Sequence, residues 1–184
     1  MNNAGVYNMR EGRRTRQNFE MDFGVNYLGH FYLTYLLWPL LNNSQGFRVV
    51  NLASVTHKRK HLTLWGQPTL DFTDLNMTKG YSPNEAYARS KLCIVMGTKH
   101  IANKMGESHK GRVVSVHPGI VRTGIMDQAF TFGVPGRLLQ VLWWVFYPLY
   151  AFMTKNVTEG CQTTLKCLLE GKVANGAYYA ECQV

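Results

Sequence analysis

Two short apolar segments rich in β-branched residues, with a well-capped helical segment between them, constrain this chain more than any other feature. Phe47-Arg48-Val49-Val50-Asn51-Leu52-Ala53 and Gly111-Arg112-Val113-Val114-Ser115-Val116 read as buried strands. Between them, Ser82 supplies an N-cap, Pro83 the first helical position and Glu85 the third-residue acid of a capping box. That helix is expected to run through Tyr87, Lys91, Val95 and His100 to Met105, where Gly106 ends it. Strands that alternate with helices pair in parallel, so the spacing predicts an α/β fold.

The flanking segments fit the same architecture. Apolar residues recur at helical spacing from Thr15 to Leu41: Phe19, Phe23, Tyr27, Phe31 and Tyr35, with Leu28, Tyr32, Leu36 and Leu40 beside them. One long helix, or a short one feeding a long one, is expected there, its last turn bent at Pro39. Ser54 to Tyr81 is a long connection, and a glycine-containing loop follows Pro118-Gly119. Arg137 to Met153 is strongly apolar; Asn156 with Glu159 caps a short helix up to Leu169; Gly176 to Glu181 is a final strand. Three or four strands are few for such a sheet. No repeat or linker interrupts the chain, so residues 1–184 are expected to form one domain.

Hydrophobic residues make up 46% of the chain and charged residues 17%, which excludes a disordered or low-complexity protein. The 20 Lys and Arg outnumber 11 Asp and Glu, for a net charge of +9. The basic residues are scattered, however, and their densest run, Thr56 to His61, is short. An anionic cofactor or acidic lipid headgroups account for the charge as well as nucleic acid does, and no nucleic-acid partner is expected. Cys93, Cys161, Cys167 and Cys182 form no CxxC pair and no metal-ligand spacing with histidine, so free thiols and no metal are expected in an intracellular protein. Met1 to Gly5 lacks the charged-then-apolar pattern of a leader peptide.

The chemistry concentrates at the strand ends and on the capped helix. Tyr87 and Lys91 lie four residues apart and share a helix face. A free phenol titrates near pKa 10, and a neighbouring ammonium favours its ionised form, which suits proton exchange with a substrate oxygen. Ser54 follows the first buried strand, at the edge where parallel sheets hold ligands. Asn26 is a polar amide within an apolar helical stretch and needs a partner. The small residues of Asn3-Ala4-Gly5, and of Pro118-Gly119 with Thr123 following, allow close approach of backbone to a ligand.

These residues stand in a recognisable order. Asn2-Asn3-Ala4-Gly5, Asn26 within Gly24-Val25-Asn26-Tyr27-Leu28-Gly29-His30-Phe31, Val49 to Ser54, Tyr87-Ala88-Arg89-Ser90-Lys91, and His117-Pro118-Gly119 with Thr123 resemble the short-chain dehydrogenase/reductase family. The Gly-Val-Asn-x-Leu-Gly-His-Phe wording, Asp71 to Leu75, and Gly176-Ala177-Tyr178-Tyr179 leading to Cys182 are similar to its retinol-dehydrogenase-like branch. The resemblance implies a partial Rossmann-type parallel sheet with flanking helices, the C-terminal two-thirds of that fold. It implies hydride transfer to or from a small hydrophobic alcohol or aldehyde, with NADP, somewhat favoured, or NAD as cofactor. Tyr87 would be the acid/base, Lys91 would lower its pKa and bind the ribose, and Ser54 would polarise the substrate oxygen. Asn26 would hold a relay water; Asn3, Ala4 and Gly5 would line the adenosine side, and Pro118, Gly119 and Thr123 the nicotinamide end.

The family's opening Thr-Gly-x-x-x-Gly-x-Gly turn, whose backbone amides hold pyrophosphate, is missing from the sequence. Without the strands it accompanies, the Val49–Leu52 strand is expected to expose an apolar edge, completed by a partner chain or by the missing N-terminal half. An alternative is therefore a non-catalytic interaction protein on a truncated dehydrogenase fold. Residues 138–153 are too short to span a bilayer, but Trp143, Trp144, Tyr147 and Tyr150 between Arg137 and Lys155 suit peripheral membrane contact or a substrate lid. An endoplasmic-reticulum membrane association, or otherwise a cytoplasmic location, is expected.

Overall fold

The computed structural model describes residues 1–8, 13–44, 46–58, 69–106, 110–123 and 147–184. Strands β1 (Arg48–Leu52), β2 (Arg112–His117) and β3 (Tyr178–Ala180) form a parallel sheet in that order. Val49 pairs with Val113, Val50 with Val114, and Val116 with Tyr179. Val50, Val114 and Val116 are fully enclosed and pack with Leu52, Cys167, Val173 and Tyr179 into the core beneath the sheet. β3 is shorter than its apolar sequence suggests, because Gly176 turns at φ +75° on one side and Glu181 and Cys182 adopt left-handed backbone on the other.

Helix α1 (Gly29–Asn42) is entered through a π-helical turn, Phe23–Leu28, in which the Gly29 N–H reaches back to the Gly24 carbonyl. The expected start at Thr15 is corrected: helical structure begins at Met21, and residues 16–18 form a turn. The Glu20 carboxylate ends that turn by accepting the backbone N–H groups of Asp22 (3.0 Å) and Phe23 (2.7 Å), in the manner of a helix cap. The periodicity misleads because Phe19, although outside the helix, extends the ring ladder formed by Phe23, Tyr27 and Phe31. Pro39 lies within α1, which continues to Asn42.

Helix α2 (Pro83–Met105) is capped by Ser82 and followed by Gly106 at φ +74°, as the sequence predicts. The predicted helix ending at Leu169 is two: α3 (Val157–Gly160), with a full Asn156–Glu159 capping box, and α4 (Gln162–Leu169), separated at Cys161. A further helical stretch covers 147–153. The apolar segment through residue 146, the loop over 124–136 and part of the basic run lie outside the described residues.

The outer edge of β1 is partly covered. Asn2 pairs with it in parallel, donating its backbone N–H to the Val50 carbonyl (2.8 Å) and accepting from the Leu52 N–H (3.0 Å). The Asn2 side chain donates to Asn51 (2.7 Å) and Thr34 (3.2 Å), and Asn51 donates to Thr98 (2.9 Å). This buried polar chain fixes α1 and α2 against the sheet, and every amide in it has a partner, as burial requires. It also sets the register in which Asn3 to Gly5 run on toward the carboxyl end of β1.

Candidate active site

Three elements converge at the carboxyl end of β1. The strand delivers Ser54, which caps the short 3₁₀ turn Val55–His57. Helix α2 presents Tyr87 and, one turn later, Lys91. The Ser54 hydroxyl lies close enough to the Tyr87 phenol to favour its ionised form, and both side chains are half-buried, within reach of a ligand. Lys91 is buried behind them, its ammonium 5.5 Å from the centre of the Tyr87 ring and donating to the Leu52 carbonyl at 2.9 Å. The Tyr87 ring is held on another side by Tyr7, edge-on at 5.2 Å, whose own hydroxyl donates to Asn84.

Desolvation dominates the electrostatics. It pushes the Tyr87 phenol up to about 12, with the nearby Ser54 hydroxyl working the other way. Desolvation also brings Lys91 down to about 8, opposed by the charge of Asp22. The expected lowering of the phenol by Lys91 is therefore not the balance reached in this structure. Tyr87 is a protonated donor at neutral pH, and Lys91 is largely charged there.

Asn26 sits in the π-helical turn and is fully buried. Its Oδ1 accepts the Val6 N–H (2.8 Å), and its Nδ2 donates to the Val6 carbonyl (3.0 Å) and to Ser90 Oγ (3.0 Å). Its backbone carbonyl is in contact with His30 Nδ1 at 2.8 Å. Both amide hydrogens are thus committed to tying the N-terminal segment and α2 to the turn.

The sequence comparisons agree with this geometry. No family model matches the chain. Human retinol dehydrogenase 12 is 38% identical over 185 residues, covering 100% of this chain and 52% of that protein. Mouse retinol dehydrogenase 14 is 34% identical, covering 100% of this chain and 50% of the relative. The chain thus spans about half the length of the curated relatives it matches. Among solved structures, NADPH-bound carbonyl reductase from chicken fatty liver superposes with a TM-score of 0.63 at 19% identity, over 100% of this chain and 63% of that one. This last likeness speaks to the fold.

The chain belongs to the short-chain dehydrogenase/reductase family.

The other positions expected from the sequence follow the Asn2 bridge beside β1 and the end of β2. Asn3 and Ala4 are exposed and Gly5 half-buried beyond the Asn2 bridge; a Cβ on Gly5 would come 3.6 Å from Asn26 Oδ1 and 3.9 Å from Lys91 Nζ. Pro118 and Gly119 follow β2 and are half-buried, and Thr123 is exposed further along. Gly119 has φ +91°, and its α-carbon packs on Lys155, where a Cβ would meet the side chain at 2.8 Å. The left-handed backbone is what favours glycine there.

Several site-adjacent residues were not singled out by the sequence. Asp22 is fully buried, and Tyr81 and Asn8 exchange hydrogen bonds below the site (3.0 and 2.7 Å). His57 contacts the Ser54 carbonyl through Nδ1 and packs tilted against the Tyr178 ring at 4.6 Å, with Lys58 5.1 Å from the same ring. His117, which the sequence places in the His117-Pro118-Gly119 motif, ends β2 and is pushed down to about 4, chiefly by desolvation. Only the position of His57, three residues after Ser54, could have drawn attention to it. Among the described residues no His, Cys, Asp and Glu group could hold a metal ion.

Proposed function

We propose that the chain carries the proton-transferring face of an NAD(P)-dependent oxidoreductase of retinol-dehydrogenase type, acting on a small hydrophobic alcohol or aldehyde. The observation that carries this reading is Lys91, its ammonium 5.5 Å from the centre of the Tyr87 ring and bonded to the Leu52 carbonyl two residues before Ser54. Ser54 holds the substrate oxygen, and Tyr87 passes its proton to that oxygen as charge develops there. The Lys91 ammonium stabilises the phenolate left behind. A phenol protonated at neutral pH favours the reductive direction, from aldehyde to alcohol. The names of the relatives, retinol dehydrogenases and an NADPH-bound carbonyl reductase, support the substrate and cofactor class.

The residues present suit the nicotinamide–ribose end of the cofactor, which supplies the hydride when bound. Gly5 leaves open the space beside Lys91 Nζ that a side chain would enter, and Asn3 and Ala4 border it. Pro118, Gly119 and Thr123 border the nicotinamide side. NADP is favoured over NAD by resemblance. No Thr-Gly-x-x-x-Gly-x-Gly turn occurs among the 184 residues, so pyrophosphate has no such cradle in this sequence.

Membrane contact near 138–153, at the endoplasmic reticulum, is part of this reading. It is supported by the exposure of Leu149, Phe152 and Met153 in the described portion, whereas no described helix is long and apolar enough to cross a membrane. A non-catalytic interaction role is the second reading. It is favoured by the bare apolar face of α1 (Tyr32, Tyr35, Leu36 and Leu40) beside a β1 edge that only Asn2 covers among the described residues. Further strands, from a partner or from additional chain, would complete that edge. Incubation with retinaldehyde and excess NADPH, with retinol quantified by chromatography, separates the two. Retinol formation supports the oxidoreductase reading; a folded chain that forms none supports the interaction role.

A further inference from the structure

Asp22 is a buried acid that the proposed chemistry leaves unused. Its side chain is fully enclosed; Oδ1 accepts the Asn8 N–H at 2.9 Å, and Oδ2 has no hydrogen-bond partner among the described residues. It stands one helical turn before Asn26, whose amide reaches Ser90 Oγ, the residue next to Lys91 on α2. Lys91 in turn has a neutral carbonyl, Leu52, as its hydrogen-bond acceptor. A buried ammonium with only a neutral acceptor needs negative charge nearby to remain ionised.

We propose that Asp22 is a positioning residue for the Tyr87–Lys91 pair, the enclosed counter-charge that keeps the Lys91 ammonium ionised inside the fold. Among the described residues, Asp22 is the acid whose charge acts on Lys91, and Lys91 acts back on Asp22. The groups facing Asp22 are Glu20 on its own turn, Tyr7 in the N-terminal segment, Tyr81 ahead of α2, and Tyr87 and Lys91 on α2. Lys91 is the cation among them. Glu20 is not among the charges that act on Lys91; its two oxygens accept the Asp22 and Phe23 N–H groups instead.

The assignment rests on the oxidoreductase reading for its purpose, but its test needs no turnover. NMR titration of the lysine Cε resonances in isotopically labelled chain follows Lys91 directly. In Asp22→Asn the Lys91 midpoint is expected to move down by about one pH unit. Coupling is reciprocal, so in Lys91→Met the Asp22 carboxyl midpoint is expected to move up. The second variant decides the matter if the first does not fold. Midpoints that stay in place overturn the counter-charge role while leaving the oxidoreductase reading intact. Moved midpoints in a chain without reductase activity would instead remove that reading and keep the coupling.

Discussion

The Lys91 ammonium donates a 2.9 Å hydrogen bond to the carbonyl oxygen of Leu52. This contact locks α2 to the carboxyl end of β1, two residues before Ser54, and so fixes the distance across which Ser54 and Tyr87 meet. An ammonium has three donors. One is spent on the strand, which leaves others for a ribose hydroxyl.

Turnover should depend on Lys91 remaining charged. With its pKa brought down to about 8, the ammonium is lost as pH rises through that value, and its support for the phenolate goes with it. Retinaldehyde reduction is expected to fall off above about pH 8, well below the range of a free lysine. A flat profile up to the free-lysine range would contradict the placement of Lys91 at the reacting pair.

Asn26→Ala should destabilise the chain by about 2–4 kcal/mol, since it leaves the half-buried Val6 N–H and carbonyl without their partner and the buried Ser90 hydroxyl with only the Tyr87 carbonyl. Hydrogen exchange at the Val6 amide, read with the denaturation midpoint, measures this. Unchanged protection of Val6 would show that the N-terminal segment is held by something else.

Asp22 gives stability a defined pH dependence. Its pKa is raised from 3.8 to about 7, mainly by desolvation, so between those values the native state keeps a proton that the unfolded chain has released, and Asp22 becomes the counter-charge of Lys91 as pH rises through about 7, below the Lys91 value of about 8. Its contribution is fully present below about pH 4 and is lost as pH rises through about 7, amounting to at most about 4 kcal/mol. The stability of wild type relative to Asp22→Asn should therefore decline across that window in urea titrations. A constant difference from acid to neutral pH would rule this out.

Cofactor affinity should be weak. The Lys91 end is formed, but the 184 residues contain no glycine-rich turn to hold the pyrophosphate. Fluorescence titration of the chain with NADPH is expected to give binding weaker than micromolar, and micromolar binding would show that other residues replace that turn.

Much of this arrangement was legible in the sequence because local rules and global fold agree. The Val-Val cores of β1 and β2 leave no polar face and can only be buried strands, and the Ser82–Pro83–Glu85 start of α2 fixes the phase that puts Tyr87 and Lys91 on one face. The start of the first helix was misread because the Phe19 ring packs against Phe23 at helical spacing without being helical; the actual stop is the Glu20 carboxylate folding back on the chain. Asp22 was invisible because a lone aspartate carries no pattern, and its burial depends on Asn8 and α2, which are distant in sequence. The height of the Tyr87 pKa was equally hidden: spacing places a cation near the phenol, whereas desolvation depends on how Tyr7 and β1 close around it.

The most direct test of the Ser54–Tyr87–Lys91 site is the rate of retinaldehyde reduction at neutral pH and excess NADPH in Tyr87→Phe against wild type. Loss of the proton donor with the ring packing kept is expected to lower the rate by about 10²–10⁴-fold, with the denaturation midpoint nearly unchanged. A Tyr87→Phe chain that reduces retinaldehyde as fast as wild type would contradict the account.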